Sequence, residues 1–344
     1  MFDHMAMWTG TEEPKRMAER VAAAHVDIIL AYVSKSPDSD EANRLLIEEA
    51  HKQRIKVHGW FGDEMKVDAA MPAAVSDLRQ VCADGSMLGV LCPANPEAVR
   101  YVLEGLQRVL TGADYDGISL EDGYVFDMKT TFTVRPNTPY DPSDDRARDY
   151  KALRGCYCSY CKKHAPIEKP GWAAWKRERL TDLIAAQSKL IRRLKPGIPY
   201  STAARMPYQR SFYEPFKNEI PYYSGWELSQ CRDGFSVDWA EWLKRGLIDF
   251  ACPMVYFKST RLVELQTQEC KHLIPDCANK IWIGLNLGNP SETWQQDRTL
   301  INGAEVIDDL LKRQEQMGQK NCVFYGYHSL RDEHIPVLAS HRKG

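Results

Sequence analysis

The chain has 344 residues, 44% hydrophobic and 27% charged, the mix of a globular protein with bulk enough for a core that needs no disulfide staples. Its 45 Lys and Arg against 47 Asp and Glu leave a formal charge of -2, which gives no electrostatic footprint for nucleic acid or an anionic membrane. No apolar run reaches the length of a transmembrane helix, residues 1–10 lack the pattern of a signal peptide, and homo-oligomerisation is left open.

In chain order, residues 5–9 form a short apolar stretch that serves as a first strand. Thr11, Pro14, Met17, Val21 and Ala24 then spell a capped amphipathic helix. Residues 27–33 (DIILAYV) are a continuous apolar run of the buried parallel-strand kind. A helix follows over 40–54, a third strand over 56–62, a helix over 96–110 and a fourth strand over 115–122. A long segment at about 125–171 comes next, rich in proline and cysteine, and a loop of that length in a compact domain is normally functional. The longest helix spans 172–194, stopped by Lys195-Pro196-Gly197. Strands at 198–205, 248–256, 280–287 and 321–329 alternate with helices at 237–245, 262–273 and 304–317. Strands alternating with helices and without reversal to hairpins favour one closed (β/α)8 barrel over residues 1–344, with the cysteine-containing stretch as an insertion. A doubly wound open sheet is the runner-up, and no glycine-rich dinucleotide fingerprint follows any strand.

In such barrels chemistry sits where strands end and loops begin. The fourth strand runs Asp116-Gly117-Ile118-Ser119-Leu120-Glu121-Asp122-Gly123-Tyr124. Side chains alternate along a strand, so Ile118 and Leu120 pack outward while Ser119 and Glu121 point into the barrel. Glu121 then lies at the mouth as acid or nucleophile, with Asp122 at the turn beside it. The plain alternative is a solvated acid pair or one bound to an Arg of the next loop. Around them, strand ends and loops supply His58, Trp60, Tyr124, Arg205, Trp226, Tyr256, Asn286, Tyr327 and His328 as candidate saccharide contacts, since a sugar site combines aromatic platforms with polar groups. Each alone is more often a packing residue.

A second signal is Cys156-Tyr157-Cys158-Ser159-Tyr160-Cys161. Three thiols so close can converge on one tetrahedral zinc ion if a fourth ligand arrives, either His164 or Cys92. Otherwise they are reduced thiols or a strained disulfide.

The fourth-strand motif resembles that of glycoside hydrolase-like barrel proteins of the clan A type, as do Val-His-Gly-Trp-Phe from Val57 and Trp-Leu-Lys-Arg-Gly-Leu-Ile-Asp-Phe from Trp242. In that group an aspartate pair commonly stands where this chain has Glu121 and Asp122. The run from Cys92-Pro93-Ala94-Asn95-Pro96 resembles a segment of family forty-two β-galactosidases, in which a cysteine before a proline joins a later Cys-x-Cys-x2-Cys to bind structural zinc. The resemblance implies Cys92, Cys156, Cys158 and Cys161 as ligands, with His164 in reserve. It implies a glycoside hydrolase acting on an oligo- or polysaccharide by carboxylate catalysis, without an organic cofactor. The second carboxylate such chemistry needs falls to Glu227, or to Asp332 or Glu333, because the stretch after the seventh strand offers no glutamate at the matching place and Glu292 comes late. Two other readings are a barrel that binds sugar without cleaving it and a zinc-dependent hydrolase, which needs an open coordination position.

Overall fold

The structure is a computed structural model, described for residues 1–10, 13–35, 37–67, 71, 73–121, 126, 155–207, 209–216, 235–256, 259–288 and 302–343. Ten strands are seen among these residues: β1 (His4–Thr9), β2 (Ile28–Tyr32), β3 (Lys56–Phe61), β4 (Arg79–Val81), β5 (Met87–Leu91), β6 (Gly117–Leu120), β7 (Tyr200–Ala204), β8 (Phe250–Pro253), β9 (Ile283–Asn286) and β10 (Asn321–Tyr325). Eight of them form one sheet in the order β8-β7-β6-β3-β2-β1-β10-β9, with every laddered pair parallel. Isolated bridges Ala251↔Ile281 and Met254↔Gly284 bring β8 back to β9 and close the ring. The (β/α)8 barrel expected from the alternation is therefore present, and the open doubly wound sheet is excluded.

Parity within the strands sorts the core into two layers. Met7, Ile29, Val57, Ile118, Leu285 and Phe324 belong to a large cluster between strands and helices. Ala6, Trp8, Leu30, Ala203, Cys252 and Val323 form a separate cluster that fills the ring. Successive strand residues alternate between these layers, as the pleat requires.

The helices that cover the ring include α1 (Pro14–Ala23), α2 (Pro37–Lys52) and α3 (Pro96–Gly112). The last of these starts where the Asn95 side chain accepts the Glu97 amide and Pro96 sets the first turn. The helix Trp172–Leu194 has the bounds expected from its sequence.

One expectation fails. The chain does reverse to a hairpin, because β4 and β5 pair antiparallel as a small separate sheet in the connection after β3. Its turn runs through Asp84, whose carboxylate accepts the Ser86 amide at 2.8 Å, and Gly85, whose φ of 82° suits glycine.

Candidate active site

Glu121 is the first residue past β6. Its amide donates to the Phe61 carbonyl at 2.8 Å, which continues the β3–β6 pairing beyond the last ladder residue. Ile118 and Leu120 lie in the outer layer, so strand parity turns Ser119 and Glu121 inward. Glu121 is half-buried, and its Oε2 atom is shielded from solvent. Gly62, the residue after β3, makes room for it: a Cβ at position 62 would lie 2.2 Å from the Glu121 Cβ. A carboxyl group with one shielded oxygen at the carboxyl end of a barrel strand can work as acid, base or nucleophile.

Beside Glu121 runs a wall of aromatic rings from β1, β2, β3 and β10 and from the residues that follow β8 and β10. Tyr32 meets Trp60 edge-on at 5.5 Å, Trp60 lies 6.4 Å from Trp8, and Trp8 meets Tyr325 at 6.2 Å. Tyr325 stacks on Tyr256 at 5.6 Å and meets His328 edge-on at 5.5 Å. The indole Nε1 atoms of Trp8 and Trp60 are buried without a hydrogen-bond partner among the described residues. Trp8, Tyr32 and Tyr325 escaped the sequence reading. The first two sit at the carboxyl ends of β1 and β2, and the rule that singled out Trp60 on β3 would have found them.

The remaining candidates separate. His58 lies one inward step below Trp60, is 1% exposed and packs near Phe250 in the barrel floor. Burial lowers its pKa to about 4, so the ring is neutral near pH 7. A substrate contact by His58 would have to come through the layer above it. Arg205 follows β7 with its guanidinium over the Phe235 ring at 4.8 Å. Asn286 ends β9, and its Oδ1 accepts the Gly288 amide at 2.8 Å, so this side chain shapes the turn. Tyr327 departs from expectation: the chain turns after β10 into a short helix, Tyr327–Ser329, and the Tyr327 ring packs against the outer layer instead of lining the mouth. Asp332 pairs with Arg20, and Glu333 is exposed. Asp122, Tyr124, Trp226, Glu227 and Glu292 lie outside the described residues.

The cysteines converge. The Sγ atoms of Cys92, Cys156, Cys158 and Cys161 all lie within 4.8 Å of one another, each residue at most 6% exposed. Cys92 follows β5, while Cys156 and Cys158 lead into the helix Ser159–His164, which carries Cys161. Cys92 and Cys161 Sγ are 3.5 Å apart, and all described cysteines are free thiols, which removes the disulfide alternative. Four thiolates around a tetrahedral ion with metal–sulfur bonds of about 2.3 Å sit about 3.8 Å apart, so the crowding fits such an ion. The Val81 and Cys158 amides each donate to Cys156 Sγ at 3.4 Å, as amides around metal-bound thiolates do. Hydrogen bonds from Cys156, Cys161 and Cys92 draw the Cys158 thiol far below its ordinary range. The cluster can hold a metal ion. Four protein ligands complete a tetrahedron and leave no position for substrate, so the zinc-dependent hydrolase reading loses its basis.

A family model described as Glycosyl hydrolase-like 10 matches residues 27–301. The chain is 19% identical over 299 residues to "Glycosyl hydrolase DigH" of Escherichia coli strain K12, covering 80% of this chain and 61% of that protein. To "Glycosyl hydrolase YngK" of Bacillus subtilis strain 168 it is 23% identical over 222 residues, covering 62% of this chain and 38% of the relative. The chain thus spans less than two thirds of the length of these curated relatives. Among solved structures, the glycoside hydrolase domain of PgaB (BpsB) from Bordetella bronchiseptica matches with a TM-score of 0.60 at 11% identity, over 99% of both chains. At that identity the likeness speaks for the fold.

Proposed function

This chain belongs to the glycosyl hydrolase-like 10 family, and from that premise we propose that it hydrolyses glycosidic bonds in an oligo- or polysaccharide, with Glu121 as its principal acid or nucleophile. One observation carries the reading: a shielded carboxyl group at the carboxyl end of the fourth barrel strand, next to a wall of aromatic rings. Sugar rings present apolar C–H faces that stack on such rings, while their hydroxyls need polar partners at the rim. Trp60, Trp8, Tyr325 and Tyr256 supply the stacking surface, and Arg205 and His328 polar groups beside it. Asp122 is the near partner of Glu121 and Glu227 the second carboxylate that cleavage requires. The catalytic unit is the whole barrel, 1–344, with the cysteine-bearing stretch as its insertion.

The four cysteines hold zinc, whose role here is architectural. Thiolate-rich tetrahedral sites suit this ion, and it requires no open position when it only organises loops.

The test is turnover of a panel of end-labelled oligosaccharides, with products read by mass spectrometry. Glu121→Gln is expected to lower kcat by roughly three orders of magnitude or more while the circular dichroism spectrum and Tm stay those of the parent. Unchanged turnover in the variant removes Glu121 from the chemistry. A parent protein that binds oligosaccharides but never cleaves them identifies a sugar-binding barrel instead.

A further inference from the structure

Resting on the hydrolase reading, we propose that the four-thiol site is a latch for the carboxylate: metal bound at Cys92, Cys156, Cys158 and Cys161 keeps Glu121 in register, so turnover depends on an ion that never touches the sugar.

The path is contiguous. The Tyr157 amide donates to the Val81 carbonyl at 2.8 Å and the Val81 amide to Cys156 Sγ, so residues 156–157 are tied to the end of β4. The Cys92 amide donates to the Leu78 carbonyl at 2.9 Å, which holds the other end of the hairpin against its start. On the opposite edge, the Val67 amide donates to the Gly89 carbonyl at 2.9 Å, and Lys66 bridges to Val90. The hairpin is therefore fastened to residues 66–67, the exit from β3. That exit begins at Gly62, which packs directly against Glu121. From the helix side the exit is gripped by Arg108, which reaches Glu64 at 3.6 Å and Asp40 at 3.1 Å.

The hairpin needs the ion. β4 has three residues and β5 five; Leu91 and Val81 reach the main core, and the rest of the hairpin's apolar packing is a small cluster of Cys82, Leu88 and Val90. Two-stranded hairpins are marginal by themselves. Without metal, four buried sulfur atoms lie within 4.8 Å of one another with no bond that ties the segment carrying Cys92 to the one carrying Cys156, Cys158 and Cys161. Metal binding supplies that bond as a cross-link between the segments that follow β3 and β6.

The experiment compares the purified protein, held reduced, with the same protein after a zinc chelator and after zinc is returned. Native mass spectrometry reads metal content, hydrogen exchange reads the backbone, and turnover is followed in parallel. The expected result is one zinc ion per chain. Its removal should speed exchange by roughly tenfold or more at residues 62–67, 79–92 and 155–164, and leave β1, β2 and β10 protected. Turnover should fall roughly tenfold or more through kcat, because a misplacement on the scale of an ångström costs that much, and recover when zinc is restored. Cys158→Ala should reproduce the chelated state, while Cys82→Ala, on the hairpin but outside the thiol cluster, should keep its metal. Absence of bound metal, or unchanged exchange at 62–67 after its removal, overturns the latch. Exchange is measured without substrate, so the latch can fail while hydrolysis stands, and the reverse.

Discussion

His58 makes the barrel floor sensitive to mild acid. Burial lowers its pKa from 6.5 to about 4, and Nδ1 has no hydrogen-bond partner among the described residues. Between those two values the unfolded chain takes up a proton that the folded chain refuses, so stability rises with pH across that window and is lost as pH falls through it. At about 1.4 kcal/mol per pKa unit, acidification from pH 6.5 to 4 withdraws about 3 kcal/mol. Urea midpoints measured across that range should show the slope in the parent, and His58→Leu should flatten it. An equal slope in both proteins would assign the effect elsewhere. At this scale the sequence was partly legible. Parity alone turned Glu121 inward, because the pleat has a fixed period and Ile118 and Leu120 had to face the helices. The same logic could not tell that His58 lies one layer too deep, since depth depends on strand tilt and neighbouring side chains. Nor could it foresee that a short helix after β10 would turn Tyr327 outward and leave Tyr325 in the wall.

The strands are clasped at their amino ends by a recurring aspartate. Asp27 accepts the Met5 amide at 2.7 Å, Asp116 the Val57 amide at 2.8 Å and Asp249 the Tyr200 amide at 2.8 Å. In each case the aspartate's own amide donates back to the carbonyl of that same partner residue. Every second strand of the ring thus opens with a two-point clasp onto the strand before it, until Lys320 breaks the pattern ahead of β10. Asp116 also accepts from His51 at 2.9 Å. Asp116→Ala should therefore destabilise by about 1.5–3 kcal/mol, the range for hydrogen bonds to a charged group. Turnover should stay near the parent value, because the clasp is at the far end of β6 from Glu121. Equal urea midpoints in parent and variant would show that the clasp contributes nothing. The eight barrel strands and the six helices of ten or more residues among the described residues were readable because their apolar positions keep one period. The hairpin was not, although Asp84-Gly85 between two apolar-bearing runs is a hairpin signal. Its strands are too short for an alternation to register, and much of its order comes from partners distant in sequence, Cys156 and Tyr157.

Across the whole molecule, closure and acid sensitivity meet in one sector. Where the other seams of the ring are ladders, β8 and β9 are joined through two isolated bridges, with Trp282 donating to Ala251 and Val255 to Gly284, both at 2.9 Å. The same sector holds the least exposed of the carboxylates whose pKa is lowered. Hydrogen bonding to Arg313, against opposing burial, lowers Glu264, which Arg261 also pairs. Lys312 and His341 lower Asp308. At Glu315 burial acts upward, and hydrogen bonds from the chain's amino group and His341 outweigh it. These pairs fasten the helices Thr260–Leu273 and Ala304–Gln316 to each other and to the C-terminal helix His334–Ser340 and the residues after it. A carboxylate lowered in the fold contributes stability that is present above its unfolded value, near pH 4, and lost as pH falls through its folded value. Other lowered carboxylates, such as Asp114 and Glu178, are more exposed, and solvent screening reduces their effect. Acid should thus open the molecule unevenly. Hydrogen exchange at about pH 3 should show amides of 260–273, 304–316 and 334–342 losing protection before those of the helices Pro14–Ala23 and Pro96–Gly112, with the β8–β9 seam first among the strands. Uniform loss of protection around the ring would mean that these ion pairs do not govern its acid limit, and that the sparse seam is as firm as the laddered ones.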